Sequence, residues 1–188
     1  MKTPALLSAL AVVSACIAAA PATAEPTLVV SPQPLPIDNS RPRVFLGGSI
    51  DMGGAPDWQA ALTQALGDMD VTVLNPRRPD WNPAWRPEAD EPEFRRQVEW
   101  ELAALESADV IVMYFAPGTQ SPISLLEMGL HARGGKLIVL APEGFWRKGN
   151  IDITARAYGV RQVQTMDELT AVVRQALTEA AEKGRFAR

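Results

Sequence analysis

A carboxylate becomes a usable nucleophile when it is short of water and still charged. One glutamate in this sequence sits where both conditions meet. Glu127 stands among Leu125, Leu126, Met128 and Gly129. An apolar setting raises a carboxyl pKa, while a nearby helix start favours the ionised form. Ser121-Pro122 opens that helix, with proline at its first position, so Glu127 falls in the second turn. Ser124 and Glu127 also fit a capping box, although Pro122 places the helix start earlier. Such a glutamate can attack an electrophilic carbon and hold it as an ester, splitting one hard step into two. Ser121 and Ser124, at the start of the same helix, are candidate substrate-binding residues.

Two further acids are candidates to act with it. Glu101 shares a helical face with Phe94 and Leu105, so it is expected to be partly buried, whereas Glu99 falls on the exposed side. A buried charge is expensive, so an acid on an inward face needs a reason; a solvated surface glutamate is the plainer alternative. Asp51 lies in the glycine-rich stretch Gly47-Gly48-Ser49-Ile50-Asp51-Met52-Gly53-Gly54. That stretch lacks the G-x-G-x-x-G order of dinucleotide sites and the lysine of a P-loop. It lets backbone approach a ligand closely, with Gly47, Gly48 and Ser49 as lining residues. Asp51 would repel a phosphate and favours an uncharged nucleoside or sugar. Asn75 begins a loop that contains Trp81 and Trp85. These two rings could stack on a flat base, which is typically worth ~1–3 kcal/mol per base, or pack together as a loop cap.

The composition narrows the other options. The chain has 188 residues, one domain's worth, with 47% hydrophobic and 21% charged residues and a formal net charge of −4. No basic stripe is present, which argues against a nucleic-acid partner. Cys16 is the one cysteine and His131 the one histidine. A disulfide, a zinc thiolate site, a cysteine nucleophile and a Ser-His-Asp triad are therefore hard to build. No metal and no organic cofactor is expected.

The N-terminus reads as an export signal. Lys2 precedes an apolar run from Ala5 to Ala20, and Ala22-Thr23-Ala24 forms an A-x-A cleavage site. The expected location is exported, periplasmic or secreted. Val13-Ser14-Ala15-Cys16 resembles a lipobox, so attachment to a membrane is expected only if Cys16 is lipidated. Residues 1–24 are thus assigned to a signal peptide and residues 25–42, with Pro26, Pro32, Pro34, Pro36 and Pro42, to an extended linker. The domain proper is assigned to 43–188.

Within it, strands and helices alternate. Strands are expected at Val44-Phe45-Leu46, Val71-Thr72-Val73-Leu74, Val110-Ile111-Val112-Met113-Tyr114, Leu137-Ile138-Val139-Leu140 and Val160 to Val163. Helices are expected over 56–66, 93–105, from Pro122 to near Gly134-Gly135, and over 166–183. This order predicts a three-layer, doubly wound α/β domain with a parallel sheet of five strands. The strands are continuous apolar runs, as in sheets covered on both faces. Ligands of such sheets bind beyond the carboxyl ends of the strands. The segments 47–54, 75–85 and 114–127 should meet there.

Taken in order, F-x-x-G-S-I-x-M-G, L-N-P-R-R and S-P-I-x-L-L-E-x-G resemble the nucleoside 2-deoxyribosyltransferase superfamily over about residues 43–165. The resemblance implies a flavodoxin-like, Rossmann-like sheet and cleavage of the N-glycosidic bond of a deoxynucleoside, with the sugar passed to another base or to water; hydrolysis of a nucleoside, nucleotide or NAD, and nucleoside binding without turnover in the cell envelope, are the alternatives. It implies Glu127 as the nucleophile, Glu101 as a residue that positions the nucleoside, and Gly47, Gly48, Ser49 and Asp51 as lining of the sugar pocket. Retaining glycosidases follow the same logic with two carboxyls ~5–5.5 Å apart. This chain carries Phe45 where the well-studied transferases have tyrosine, and Ser121 where they have aspartate. Family members are often oligomers, so a homo-oligomer is expected.

Overall fold

The computed structural model describes residues 24–50 and 55–186, with side chains as far as 184. The expected signal peptide, apart from Ala24, falls outside these residues, as do Cys16 and Asp51. Six strands are present: β1 (Thr27–Val30), β2 (Arg43–Gly48), β3 (Thr72–Asn75), β4 (Val110–Tyr114), β5 (Leu137–Leu140) and β6 (Arg161–Val163). Five helices accompany them: α1 (Trp58–Ala65), α2 (Pro92–Ser107), α3 (Pro122–His131), α4 (Lys148–Tyr158) and α5 (Met166–Phe186).

All the strand pairs are parallel, in the order β1-β3-β2-β4-β5-β6. Without β1, the order β3-β2-β4-β5-β6 is the doubly wound, flavodoxin-like arrangement. Side chains alternate across the sheet because a strand repeats every two residues. Phe45, Leu74, Ile111, Met113 and Val139 point to one face and pack with Trp100, Leu105, Met128 and Ile151 of α2, α3 and α4. Val44, Leu46, Val73, Val112 and Ile138 point to the other face and pack with Leu62 of α1 and with Leu169, Val173 and Leu177 of α5. This is the expected three-layer α/β domain, with six strands instead of five.

The sixth strand comes from the stretch expected to be a linker. Proline lacks a backbone donor, but Thr27-Leu28-Val29-Val30 contains none, and three of the four residues are β-branched. These residues suit a pleated edge. They pair with β3 from Thr27 opposite Thr72 to Val30 opposite Asn75. The prolines on either side confine the strand to its four residues at the sheet margin.

Because β2 and β4 are neighbours whose connections run in opposite directions, their carboxyl ends form the switch point of the sheet. Gly47 pairs with Met113 and Gly48 with Tyr114 there. Gly48 has φ of +131°, and a Cβ at this position would lie 2.2 Å from the Tyr114 carbonyl oxygen. Only glycine fits both the angle and the approach. Gly118, by contrast, has φ of +77° and open space around it. Gly48→Ala should therefore cost more than ~3 kcal/mol, among the large single-site effects, and Gly118→Ala only ~1–2 kcal/mol. Urea unfolding of the two variants checks the difference.

Candidate active site

The switch point is closed by a serine that ties three loops together. Ser49 follows β2 and is fully buried. Its N–H donates to the Tyr114 carbonyl at 2.8 Å, and its Oγ accepts the Ala116 N–H at 2.9 Å. The same oxygen lies 2.7 Å from Thr119 Oγ1 and 2.6 Å from Ser121 Oγ. Trp58 of α1 donates its ring N–H to the Ser49 carbonyl at 3.0 Å. Ser49 thus acts on the site by holding the glycine turn, the loop after β4 and the start of α3 in one arrangement. Thr119, 8% exposed, belongs to this cluster and was not among the residues the sequence singled out.

Helix α3 starts at Pro122, with Ser121 as the residue before it in the left-handed conformation, φ 45° and ψ 50°. For a residue with a Cβ this is uncommon and strained. The hydroxyl contacts to Ser49 and Thr119 hold it there. The inward face of α3 presents Ser124, Glu127 and Met128. Ser124 donates to the Gly48 carbonyl at 2.9 Å, so it docks the helix onto the glycine turn and does not form a capping box with Glu127. One turn further on, Glu127 is only 8% exposed, and no side-chain hydrogen bond to it is present among the described residues.

The partner acid comes from α2. Its buried residues are Gln97, Trp100, Ala104 and Leu105. Glu101 sits beside them and is half-buried, while Glu99 is exposed and pairs with Arg95 at 3.0 Å. Burial raises the Glu101 pKa, opposed by a hydrogen bond from Gln97 Nε2 at 2.8 Å. Burial also pushes Glu127 up, and the nearby charge of Glu101 pushes it further, to about 8. Glu101 is thus near enough for its charge to act on Glu127, and the two resist being charged together.

The other candidates are placed as follows. Asn75, at the end of β3, accepts the Arg77 N–H through Oδ1 at 2.9 Å and so shapes the turn after the strand. Trp81 and Trp85 pack edge to face with ring centres 5.2 Å apart. Arg78 lies over the Trp85 ring at 4.8 Å and pairs with Asp80 and Glu93. This is the loop-cap arrangement, stacked on itself. No hydrogen bond or ring contact joins the two tryptophans to Glu101 or Glu127 among the described residues. Gln97, like Thr119, is not among the residues the sequence singles out: it is 5% exposed and hydrogen-bonds to three partners. Its spacing of four from Glu101 was the available signal. Among the described residues, no group of three or more His, Cys, Asp or Glu side chains could hold a metal ion.

A family model described as "Nucleoside 2-deoxyribosyltransferase like" matches residues 41–145, which include Glu101, Glu127 and the glycine turn. The chain belongs to this family. A solved structure, described as a conserved protein from Enterococcus faecalis V583, aligns with a TM-score of 0.53 at 12% identity. The alignment covers 72% of this chain and 98% of that one. At that identity the likeness concerns the fold alone, and it agrees with the flavodoxin-like sheet. No curated protein matches the chain.

The raised pKa of Glu127 has a consequence for the stability of this deoxyribosyltransferase-like domain. A carboxyl that holds its proton more tightly when folded binds more protons in the native state than in the unfolded one. Stability then falls as pH rises from the ordinary value of 4.5 towards about 8. Glu127→Gln should remove that loss, so the variant should be more stable than the parent at pH 8 and similar at pH 4.5. Denaturant unfolding at the two pH values measures it.

Proposed function

We propose that this protein cleaves the N-glycosidic bond of a nucleoside, preferably a 2′-deoxynucleoside, through a glycosyl ester on Glu127. The pairing of buried Glu127 with half-buried Glu101 at the switch point carries the reading. Near neutral pH the pair holds one proton. At rest that proton sits on Glu127; in the reacting arrangement it has passed to Glu101, and the Glu127 carboxylate so freed faces the sugar. Its oxygen bonds to C1′ as the bond from C1′ to the base nitrogen breaks, and Glu101 gives its proton to the departing base. Water or a second base then attacks C1′, Glu101 takes up the released proton, and Glu127 is freed.

The carbon passes through an oxocarbenium-like state, which an electronegative 2′-hydroxyl destabilises. A deoxynucleoside is therefore the better substrate. The positive n-region, apolar run and A-x-A site support action outside the cytoplasm, where hydrolysis needs no second base as acceptor.

Incubation with deoxyadenosine, with and without free cytosine, tests the proposal. Free sugar marks hydrolysis and deoxycytidine marks transfer; nucleoside binding without either product would point to a binding protein. Glu127→Ala should lose ~10³-fold or more in kcat, and Glu101→Gln about 10²–10⁴-fold. Mass spectrometry of Glu101→Gln after soaking should find the sugar on Glu127. The kcat/KM profile should be bell-shaped, falling on the alkaline side near pH 8 as the pair loses its last proton.

A further inference from the structure

The edge strand reaches the carboxyl pair through a short relay of side chains. Ser31, immediately after β1, is 3% exposed. Its hydroxyl donates to Gln97 Oε1 at 2.6 Å. The Gln97 Nε2 group has two protons. One goes to the Pro76 carbonyl at 2.9 Å and the other to Glu101 Oε1 at 2.8 Å. A second tie lies one turn along α2, where Trp100 Nε1 donates to the Gln33 carbonyl at 2.7 Å. Residues 31–33 therefore clamp α2 at the turn that carries Glu101. These residues precede position 41, where the family match begins.

The relay admits one orientation of the amide. A carbonyl can only accept, so the nitrogen of Gln97 must face Pro76. Its oxygen then faces Ser31, whose hydroxyl must donate. With the amide reversed, its oxygen would confront both the Pro76 carbonyl and the Glu101 carboxyl. One Glu101 oxygen is thereby occupied by an N–H, and any proton that Glu101 carries rides on Oε2.

We propose that Ser31 and Gln97 are positioning residues of this site, fixing the acidic proton of Glu101 on Oε2 and stabilising the carboxylate left when that proton is given up. The inference rests on the reading of Glu101 as the acid and Glu127 as the nucleophile. When the base leaves, the Oε2 proton moves to the base nitrogen while the bond from C1′ to Glu127 forms. The Gln97 N–H then faces a full negative charge and offsets part of the cost of burying it. Glu101 takes its hydrogen bond from Gln97 of its own helix, whose amide also reaches the uncharged Pro76 carbonyl in the loop after β3, and its charge acts on Glu127 of α3. Ser31 acts from beyond β1. No Arg, Lys or His is among the groups that shift either carboxyl.

The test is a carboxyl NMR titration of Glu101 in the full chain, its signal assigned by its absence in Glu101→Gln, alongside kcat/KM profiles for deoxyadenosine. Gln97→Leu should raise the Glu101 midpoint by about one unit and move the acid limb of the profile with it. Ser31→Ala should move both in the same direction by less, and Ser31→Thr, which keeps the hydroxyl, should restore the wild-type values. If Gln97→Leu does not fold, the Ser31 pair decides alone. Midpoints and limbs that stay at wild-type positions in folded Ser31→Ala would overturn the inference. Product formation that survives Glu127→Ala would instead overturn the reading of the site. Inactivity of Glu127→Ala with unmoved Ser31→Ala midpoints leaves that reading intact and removes only the positioning role.

Discussion

Two carboxyl groups in one dry space cannot both be charged at low cost, and the site of this protein is built around that constraint. Burial alone raises the proton affinity of Glu127, and the charge of Glu101 adds to it. Glu101 has a compensating donor in Gln97, whereas no side-chain hydrogen bond reaches Glu127 among the described residues. The pair is therefore unequal: the amide favours the charged form of Glu101, and burial makes Glu127 the resting holder of the shared proton.

The rest of the fold supplies the space and the alignment. Doubly wound sheets open beyond their carboxyl ends at the switch point, and here β2 and β4 diverge there. Gly48 lets the turn pass against the Tyr114 carbonyl. Ser49 then spends its polar groups on the loop after β4 and the approach to α3. With Ser124 docked on the Gly48 carbonyl, the position of Glu127 one turn later follows from helix geometry. A hydroxyl cluster and Gly48 thus orient a carboxyl that none of them touches through a hydrogen bond.

The far side of the pair is supported by a piece of chain that composition assigns to a tether. Residues 25–42 are rich in proline, yet the interval between Pro26 and Pro32 is long enough for one edge strand. That strand adds a covered margin to β3, and the residues after it grip α2. Proline content reports where a chain cannot continue a ladder. It does not report whether a proline-free interval will begin one.

Much was legible from the residues alone. Continuous apolar runs separated by helical periodicity specify a parallel sheet with both faces covered, because no other arrangement buries them. Glu127 could be found because a glutamate inside Leu-Leu-x-Met-Gly, just after a proline helix start, is locally inconsistent with burial and so calls for a use. The burial of Glu101 followed from helical spacing. What the residues could not tell were contacts between parts distant in sequence. Ser31 and Gln97 are separated by 66 positions, and nothing near either one announces the other. The loop of Trp81 and Trp85 allowed base stacking or self-packing equally, since ring chemistry is the same in both. Tertiary structure shows the two rings packed edge to face with Arg78 over Trp85, a contact that nothing in the local sequence specified. Local sequence determined which side chains had to be sheltered, because hydrophobicity and helix periodicity act over a few residues. Only the folded chain determined which sheltered polar groups meet, because hydrogen bonds are set by distance in space.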